Sequence, residues 1–478
     1  MAMSPEPSRL SSRLRELLRT TPAPAGARHA TAPIEAPAPP AGERRELIYE
    51  PEEASGLCAA ADRGCVVLER HYDLEMPHGR QAVADYGETL TRCLPALAVL
   101  AADERAAAPR EARPARLDWG ASRGLADERR RAGVPTDGPL LFFDLETTGL
   151  SGGAGTLAFL VGCGYFDDEG FHTRQFFLGG YEAEREVLDA LTALAGRFNG
   201  LITFNGRTFD VPLIETRYLF HRLASPFADM PHFDMLHPAR RLWRRRNIAQ
   251  ASHRERWSGG RAGEHASCAL GALEEAILGV ARVGDVPGFE IPSRYFNYLR
   301  TGDLAPLAPV FEHNRLDLLS LAAITAIAAR MAGEGPAGAP SPHEALAMAR
   351  IYVRLGRWEE AETCFARAGG IGAAPWDARS IDPEVRADAL RQLAIERRRR
   401  HRYEEAAEAW RLLLDAGAGA ANAQEARRAL AIHHEHRARN LEEARRQASR
   451  ALASAEDPAD ADALRHRIAR LDRKLGRG

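Results

Sequence analysis

Among the six cysteines of this 478-residue chain (Cys58, Cys65, Cys93, Cys163, Cys268 and Cys364) there is no C-x-x-C pair. This excludes the spacing of a small zinc site and the framework of a disulfide scaffold, and it fits a reducing compartment. An excess of one charge is lacking too: 64 Lys and Arg stand against 66 Asp and Glu, a formal net charge of -2. Any nucleic-acid surface must then be a local patch. The first 43 residues have no apolar run long enough for a signal peptide or a membrane span. These absences lead us to expect a cytoplasmic protein with no membrane partner. The SGGAG loop at 151–155 is not followed by the Lys-Ser/Thr of a P-loop.

A chain of this length exceeds one ordinary core, so two or three domains are expected. Residues 1–42, rich in Ala, Pro and Ser, read as a disordered leader. Residues 43–137 hold a strand-like piece, GCVVLERHYDLEM, among Arg/Ala-rich stretches, and no role can be assigned to them. The pattern sharpens at Gly138. Leu140–Leu145, TLAFLVGCGYF and FHTRQFFL read as strands, the last two joined by a DDEG turn. Leu188, Leu191, Leu194 and Phe198 recur at helical spacing, GLITF is a fourth strand, and VPLIETRYLFHRL a second helix. Three strands, helix, strand, helix predict a mixed α/β sheet over residues 138–335. A linker follows near Pro336–Pro342, and residues 342–478 read as helical throughout.

Acids interrupt these apolar elements at particular places. LLFFDLETTGL runs four bulky residues into Asp144, with Glu146 two positions on. A buried carboxylate is costly and two together cost more, so a cation is expected beside them. Asp210 follows the fourth strand at the start of a helix, and Asp317 lies on an apolar helix four residues after His313. Taken singly, each has a bland reading: Asp210 as a helix cap, His313 as a satisfied helix histidine. Four converging acids instead match the oxygen ligands of two hard divalent cations, a pairing suited to phosphodiester cleavage. Asp234, in HFDML, fits no motif and receives a supporting role at most.

The stretches DLE, NGRTFD (Asn205–Asp210) and HNRLD (His313–Asp317), in this order, resemble the three motifs of the DEDD exonucleases in their His form. These belong to the ribonuclease H-like superfamily. FDMLHPARRLWRRR and FEIPSRYFNYLRTGD further resemble the YprB-type ribonuclease H-like proteins, which also carry tetratricopeptide repeats. The resemblance implies a 3′→5′ exonuclease acting on DNA or RNA at a single-stranded 3′ end, with two ions, Mg²⁺ or Mn²⁺. By the same resemblance Asp144, Glu146 and Asp317 hold one ion, Asp144 and Asp210 hold the second, and His313 is the general base. Thr147 and Asn205, within or beside the motifs, join the candidate nucleic-acid contacts. The SGGAG loop is expected near the substrate's 3′ end.

Between the second and third motifs, HPARRLWRRRNIAQASHRERW sets Arg240 with Arg244, and Arg241 with Arg245, one helical turn apart. Such arginines attract backbone phosphates, and Trp243 or Trp257 is placed to stack on an unpaired base. The competing reading is a solvated helix with Trp243 in the core. A second basic run, ERRRRHR at 396–402, reads as a solvated face. ARIYVRLGRWEEAETCFARA repeats in part as YEEAAEAWRLLL and LEEARRQASRA. Their separations exceed the ~34 residues of a tetratricopeptide repeat, which implies longer loops or degenerate copies. Stacked helix pairs present a concave surface for a protein partner. Two other functions fit the same residues: a non-catalytic nucleic-acid-binding scaffold, or a structure-selective endonuclease on the same ions. All the named acids lie within 138–335, so this span is expected to fold and act alone.

Overall fold

The computed structural model describes residues 64–106, 133–149, 155–244, 268–372 and 376–476. The leader at 1–42, Cys58, Arg245, Trp257, the whole 107–132 stretch and most of SGGAG lie outside the described residues.

Strand β1 (Cys65–Asp73) alternates exposed and covered residues, as a strand with one packed face should. A two-stranded turn at 77–82 leads into helix α1 (Val83–Cys93), which buries Val83, Tyr86, Leu90 and Cys93 at spacings of one helical stripe. Strands β2 (Leu140–Thr147), β3 (Ala158–Phe166) and β4 (Gly170–Leu178) form an antiparallel meander. Asp167 closes the β3–β4 turn by accepting the N–H groups of Glu169 and Gly170 at 2.9 and 3.2 Å. Helix α2 (Glu184–Ala195) buries Leu188, Leu191 and Leu194. Strand β5 (Gly200–Thr203) then runs parallel to β2. Helix α3 (Asp210–Phe220) and the short strand β6 (His232–Asp234), parallel to β5, complete the sheet. Its order is β1-β4-β3-β2-β5-β6, a mixed sheet of six strands.

Alternation along β2 feeds two cores. Leu141, Phe143 and Leu145 pack with α2, α3 and helix α4 (Ile291–Thr301) on one face. Phe142 faces the other way, toward α1 and the 26-residue helix α5 (Ala308–Gly333). Two glycines bring α5 close. A Cβ on Gly162 would stand 2.2 Å from Asn314 Oδ1, and one on Gly164 would crowd Phe171 and Leu318. Among the described residues α5 is the one helix long and apolar enough to cross a membrane, and 83% of its apolar window is buried inside this fold.

Helices α6 (Pro342–Arg354), α7 (Trp358–Ala368), α8 (Pro383–Arg399), α9 (Tyr403–Asp415), α10 (Ala420–His436), α11 (Leu441–Leu452) and α12 (Pro458–Lys474) follow. They pack as successive pairs, α6 with α7, α8 with α9 and α10 with α11, and α12 closes on α11. The small residues of the repeat, Ala349, Ala361, Ala368, Ala406, Ala444, Ala448 and Ala451, are buried where helices meet. Cross-pair ion pairs join the first helices of neighbouring pairs, Arg350 to Asp388 and Arg391 to Glu425, and Arg428 to Asp460 joins α10 to the closing helix α12. The run at 396–402 is not the solvated face expected of it. Glu396 is buried under Arg399 and Arg400, Arg397 and Arg402 reach Glu362, and Arg400 lies 3.8 Å over the Trp358 ring.

Two boundaries look different in the fold. The sheet takes β1 from the segment at 43–137, in register from Cys65↔Leu178 to Asp73↔Gly170. Pro336–Pro342 is no exposed spacer either, because Gly338 and Ala339 are buried. One continuous cluster joins Tyr72, Tyr86 and Leu97 to Leu318, Met331, Leu346 and Leu393. The packing therefore predicts the opposite of independent folding. A 138–335 fragment would expose the α5 face that α1 and the helical segments at 94–106 cover, and each Å² of apolar surface so exposed costs ~25 cal/mol against a marginal total stability. We expect it to lack a cooperative thermal transition, which calorimetry beside the full chain would reveal; a sharp two-state melt of the fragment would refute the shared-core account.

Candidate active site

Asp144 and Glu146 are two positions apart on β2, so both turn to the α5 face while Leu145 turns to the other. The β2–β3 register shifts between Glu146 and Thr147, a bulge that ends regular pairing at the acids. Helix α5 meets them with His313, Asn314 and Asp317. Asn314 is fully buried; its Nδ2 donates to Asp144 Oδ2 at 2.8 Å, and its Oδ1 accepts from Gln175 Nε2 at 2.8 Å. His313 Nε2 lies 3.5 Å from Asp317 Oδ2 and 3.9 Å from Glu146 Oε1. Its other nitrogen, Nδ1, is 2.6 Å from Asp285 Oδ1.

Asp210 enters from α3. It is the first residue of the helix, the cap position is Phe209, and no side-chain cap closes this end, so the capping reading does not hold. Asp234 accepts backbone N–H groups from Asn205 at 2.8 Å, Arg207 at 3.0 Å and Leu236 at 3.0 Å. These bonds hold the loop before Asp210, in which Asn205 takes a left-handed φ of 67°. Asn205 Oδ1 accepts from Thr208 Oγ1 at 3.0 Å. Thr147 Oγ1 donates to Gly149 O at 3.0 Å, and Thr148 and Leu157 pinch the ends of the loop that contains SGGAG.

The electrostatics bind these groups into one cluster. Burial pushes the Asp144 carboxyl well above the ordinary carboxylate range, and the charges of Asp317, Glu146 and Asp210 add to it. Glu146 is raised to about 8 by burial and by Asp317 and Asp210, against the pull of His313. Asp210 is raised to about 7 by burial and the charge of Asp234. Burial lowers His313, yet the Asp285 hydrogen bond with the charges of Asp317 and Glu146 outweighs it and sets the ring at about 9. The ordinary value near 6.5 expected from sequence is thus displaced upward.

Desolvated, mutually repelling carboxylates have the chemistry of a hard-cation site. Asp144, Glu146, Asp210 and Asp317 supply oxygen donors from a strand end and two helices, which fits divalent ions. Their oxygens do not sit at single-ion spacing: among the described residues, the trio of His, Cys, Asp or Glu with ligand atoms within 4.8 Å of one another is His71, Glu169 and His172. Drawing three of the acids onto one ion takes side-chain rotation. The His71 and His172 rings are stacked, with centroids 4.5 Å apart and planes at 24°, so their in-plane lone pairs do not converge.

The arginine-rich stretch divides. Residues 236–244 are helical, with Arg240 and Arg244 exposed on one side. Arg241 turns inward to the Leu100 carbonyl, and Trp243 is fully buried, which removes it as a stacking residue.

Residues 141–329 match the family model described as RNase_H superfamily. The fold is ribonuclease H-like. The chain is also 27% identical over 422 residues to the "Uncharacterized protein YprB" of Bacillus subtilis (strain 168), covering 86% of this chain and 87% of that protein. The superfamily match points to nuclease-type activity on a nucleic-acid substrate, and ribonuclease H-like nucleases generally use divalent metals.

Four residues of the ribonuclease H-like domain's site escaped the sequence reading: Glu274, Arg282, Asp285 and Asn314. Arg282 Nε donates to Glu274 Oε2 at 2.7 Å, and its Nη2 contacts both Glu274 Oε1 and Asp317 Oδ1. The available signal was Glu274 itself, an acid on the stripe of Leu273, Ile277 and Leu278, which requires a buried cation.

Proposed function

We propose that this protein is a metal-dependent 3′→5′ exonuclease that hydrolyses phosphodiester bonds of DNA or RNA by a two-metal mechanism. The observation that carries the reading is the meeting of Asp144, Glu146, Asp210 and Asp317 in one buried cluster, with His313 Nε2 facing two of them. When bound, Mg²⁺ or Mn²⁺ activates the attacking water and stabilises the leaving oxygen. The chain's own residues do the rest. Asn314 fixes the Asp144 carboxylate, Asp234 holds the loop that presents Asp210, and Asp285 engages His313 Nδ1 so that Nε2 is the atom offered to the water's proton.

Exposed Arg240 and Arg244 are placed to meet backbone phosphates, and Thr147 and Asn205 border the scissile region. Phe209, beside Asp210, is 38% exposed and takes the stacking role that buried Trp243 cannot. The helix pairs α6–α11 act in this proposal as tetratricopeptide-like modules with a concave face for a protein partner. Purified protein incubated with 5′-labelled single-stranded and duplex DNA and RNA and Mn²⁺ tests the reading. A ladder shortening one nucleotide at a time from the 3′ end is expected; discrete internal cuts would establish an endonuclease instead. Replacing Arg240 and Arg244 by Ala should lower the salt dependence of single-strand binding by about 0.7 in log–log slope per lost phosphate contact. An unchanged slope in filter binding across salt would return that helix to a solvated face.

A further inference from the structure

Arg282 meets the acid cluster directly at Asp317, and its side chain is only 9% exposed. Its guanidinium cannot give up its proton, and its planar fork fixes where each N–H points. One edge grips Glu274 through Nε and Nη2. The same Nη2 reaches Asp317 Oδ1, while Nη1 lies 3.5 Å from Asp285 Oδ2 and 3.4 Å from His313 Nδ1. The two oxygens of Asp317 are therefore unlike: Oδ1 is held by Arg282, and Oδ2 turns to His313 Nε2 at 3.5 Å. Glu274, 1% exposed, anchors the guanidinium from behind and is hydrogen-bonded to Ser320. Ser320 Oγ lies 3.0 Å from Nε2 of buried His78, so the segment before β2 buttresses this network.

We propose that Arg282 is a positioning residue that divides the Asp317 carboxylate, holding Oδ1 and offering Oδ2 alone to a divalent ion. It thereby limits Asp317 to one-oxygen ligation and competes with the ion for the charge of Asp317. The inference rests on the metal site of the proposed exonuclease. A fixed positive charge in contact with a ligand, in a poorly solvated site, weakens cation binding there. Its benefit is order: the same fork keeps Asp317, Asp285 and His313 in fixed relation, as a positioned base requires.

The test measures Mn²⁺ affinity by the electron paramagnetic resonance signal of the free ion, alongside nuclease rate at saturating Mn²⁺. Arg282→Gln should bind Mn²⁺ at least about tenfold more tightly while turning over on the order of 10²-fold more slowly. Arg282→Lys keeps the charge without the fork, so its Mn²⁺ affinity should stay near wild type while its rate falls. Losing Arg282 leaves Glu274 unpaired, so the pair Arg282→Gln with Glu274→Gln, neutral on both sides, supplies a foldable version whose Mn²⁺ affinity should also rise. A folded double variant with wild-type or weaker affinity overturns the proposal. Tighter Mn²⁺ binding in the variants of a protein that cleaves no nucleic acid would sink the exonuclease reading and uphold the role of Arg282. Absence of Mn²⁺ binding to the wild type overturns both.

Discussion

Glu146→Gln and Asp144→Asn should each lower nuclease activity by on the order of 10³-fold or more, and each should stabilise the metal-free protein at pH 8. The first effect follows from the proposed mechanism: each acid is a ligand, and charge stabilisation by a bound dication is worth several kcal/mol of barrier. The second follows from where Glu146 titrates. Its ordinary value of 4.5 becomes about 8 in the fold, from burial first and then the neighbouring Asp317 and Asp210. Between these values the folded state keeps a proton that the unfolded chain has released. The group's contribution to stability is thus fully present below about pH 4.5 and is lost as pH rises through about 8. Asp210 behaves alike: its contribution is present below about pH 3.8 and is lost as pH rises through about 7. Gln does not titrate, so the variant's advantage over wild type grows from pH 4.5 to 8, by up to roughly 4 kcal/mol at ~1.4 kcal/mol per pH unit. Melting in EDTA across that range measures it. Adding Mn²⁺ at pH 8 should stabilise the wild type more than the variant and close the gap. A variant that melts with wild type at every pH would show that these acids do not repel one another in the fold.

The parts of the site that could be read from the sequence are those whose chemistry lies in a few consecutive residues. DLE falls at the end of a strand, NGRTFD opens α3, and HNRLD lies along α5. The alternation and helical spacing around them predicted the mixed sheet and the all-α region that the structure contains. What escaped depends on pairing across distance. VVLERHYD looked like a strand, but nothing in it says that its partner is FHTRQFFL, about a hundred residues later. Arg282 and Asp285 look like ordinary polar positions until α5 is laid beside them, and Glu274 alone, an acid on an apolar stripe, gave a sign that a buried cation was near. Asn314 sat unremarked inside a motif, although Gly162, which pairs with Asp144, leaves room for its side chain. Trp243 had two readings, and only tertiary packing decides between a buried ring and a stacking one. His313 was assigned its ordinary titration because Asp285, three residues beyond a buried arginine, carries no local mark of its role.

His313→Ala should cost on the order of 10²–10⁴-fold in turnover, the range for loss of a general base, and should leave Mn²⁺ affinity largely intact. His313 and Asp317 share a face of α5, four residues apart, with Nε2 directed at Asp317 Oδ2 and toward Glu146. A base must be neutral to accept a proton, and in the metal-free fold the ring is held at about 9, where the Asp285 hydrogen bond and the charges of Asp317 and Glu146 outweigh burial. Two of these charges belong to proposed ligands. Divalent ions at Asp317 and Glu146 neutralise them and bring the ring below about 9, so the wild-type rate should rise with pH and level off before that point. The Ala variant should lack this limb. A packing role predicts a different pattern. With a folded value above the ordinary 6.5, His313 contributes stability that is complete below pH 6.5 and lost as pH rises through about 9. A purely structural histidine would then cost melting temperature in EDTA at pH 6, cost little at pH 10, and leave turnover per folded molecule unchanged. His313→Tyr separates the two further, since the DEDD exonucleases that these motifs resemble also have a Tyr form: under the proposed mechanism partial turnover is expected from a hydroxyl near the same acids, and none of the imidazole's pH limb. Single-turnover rates from pH 5.5 to 9.5 on folded His313→Ala and His313→Tyr, at saturating Mn²⁺, decide the matter, and a wild-type rate with a wild-type limb in the Ala variant would remove His313 from the chemistry.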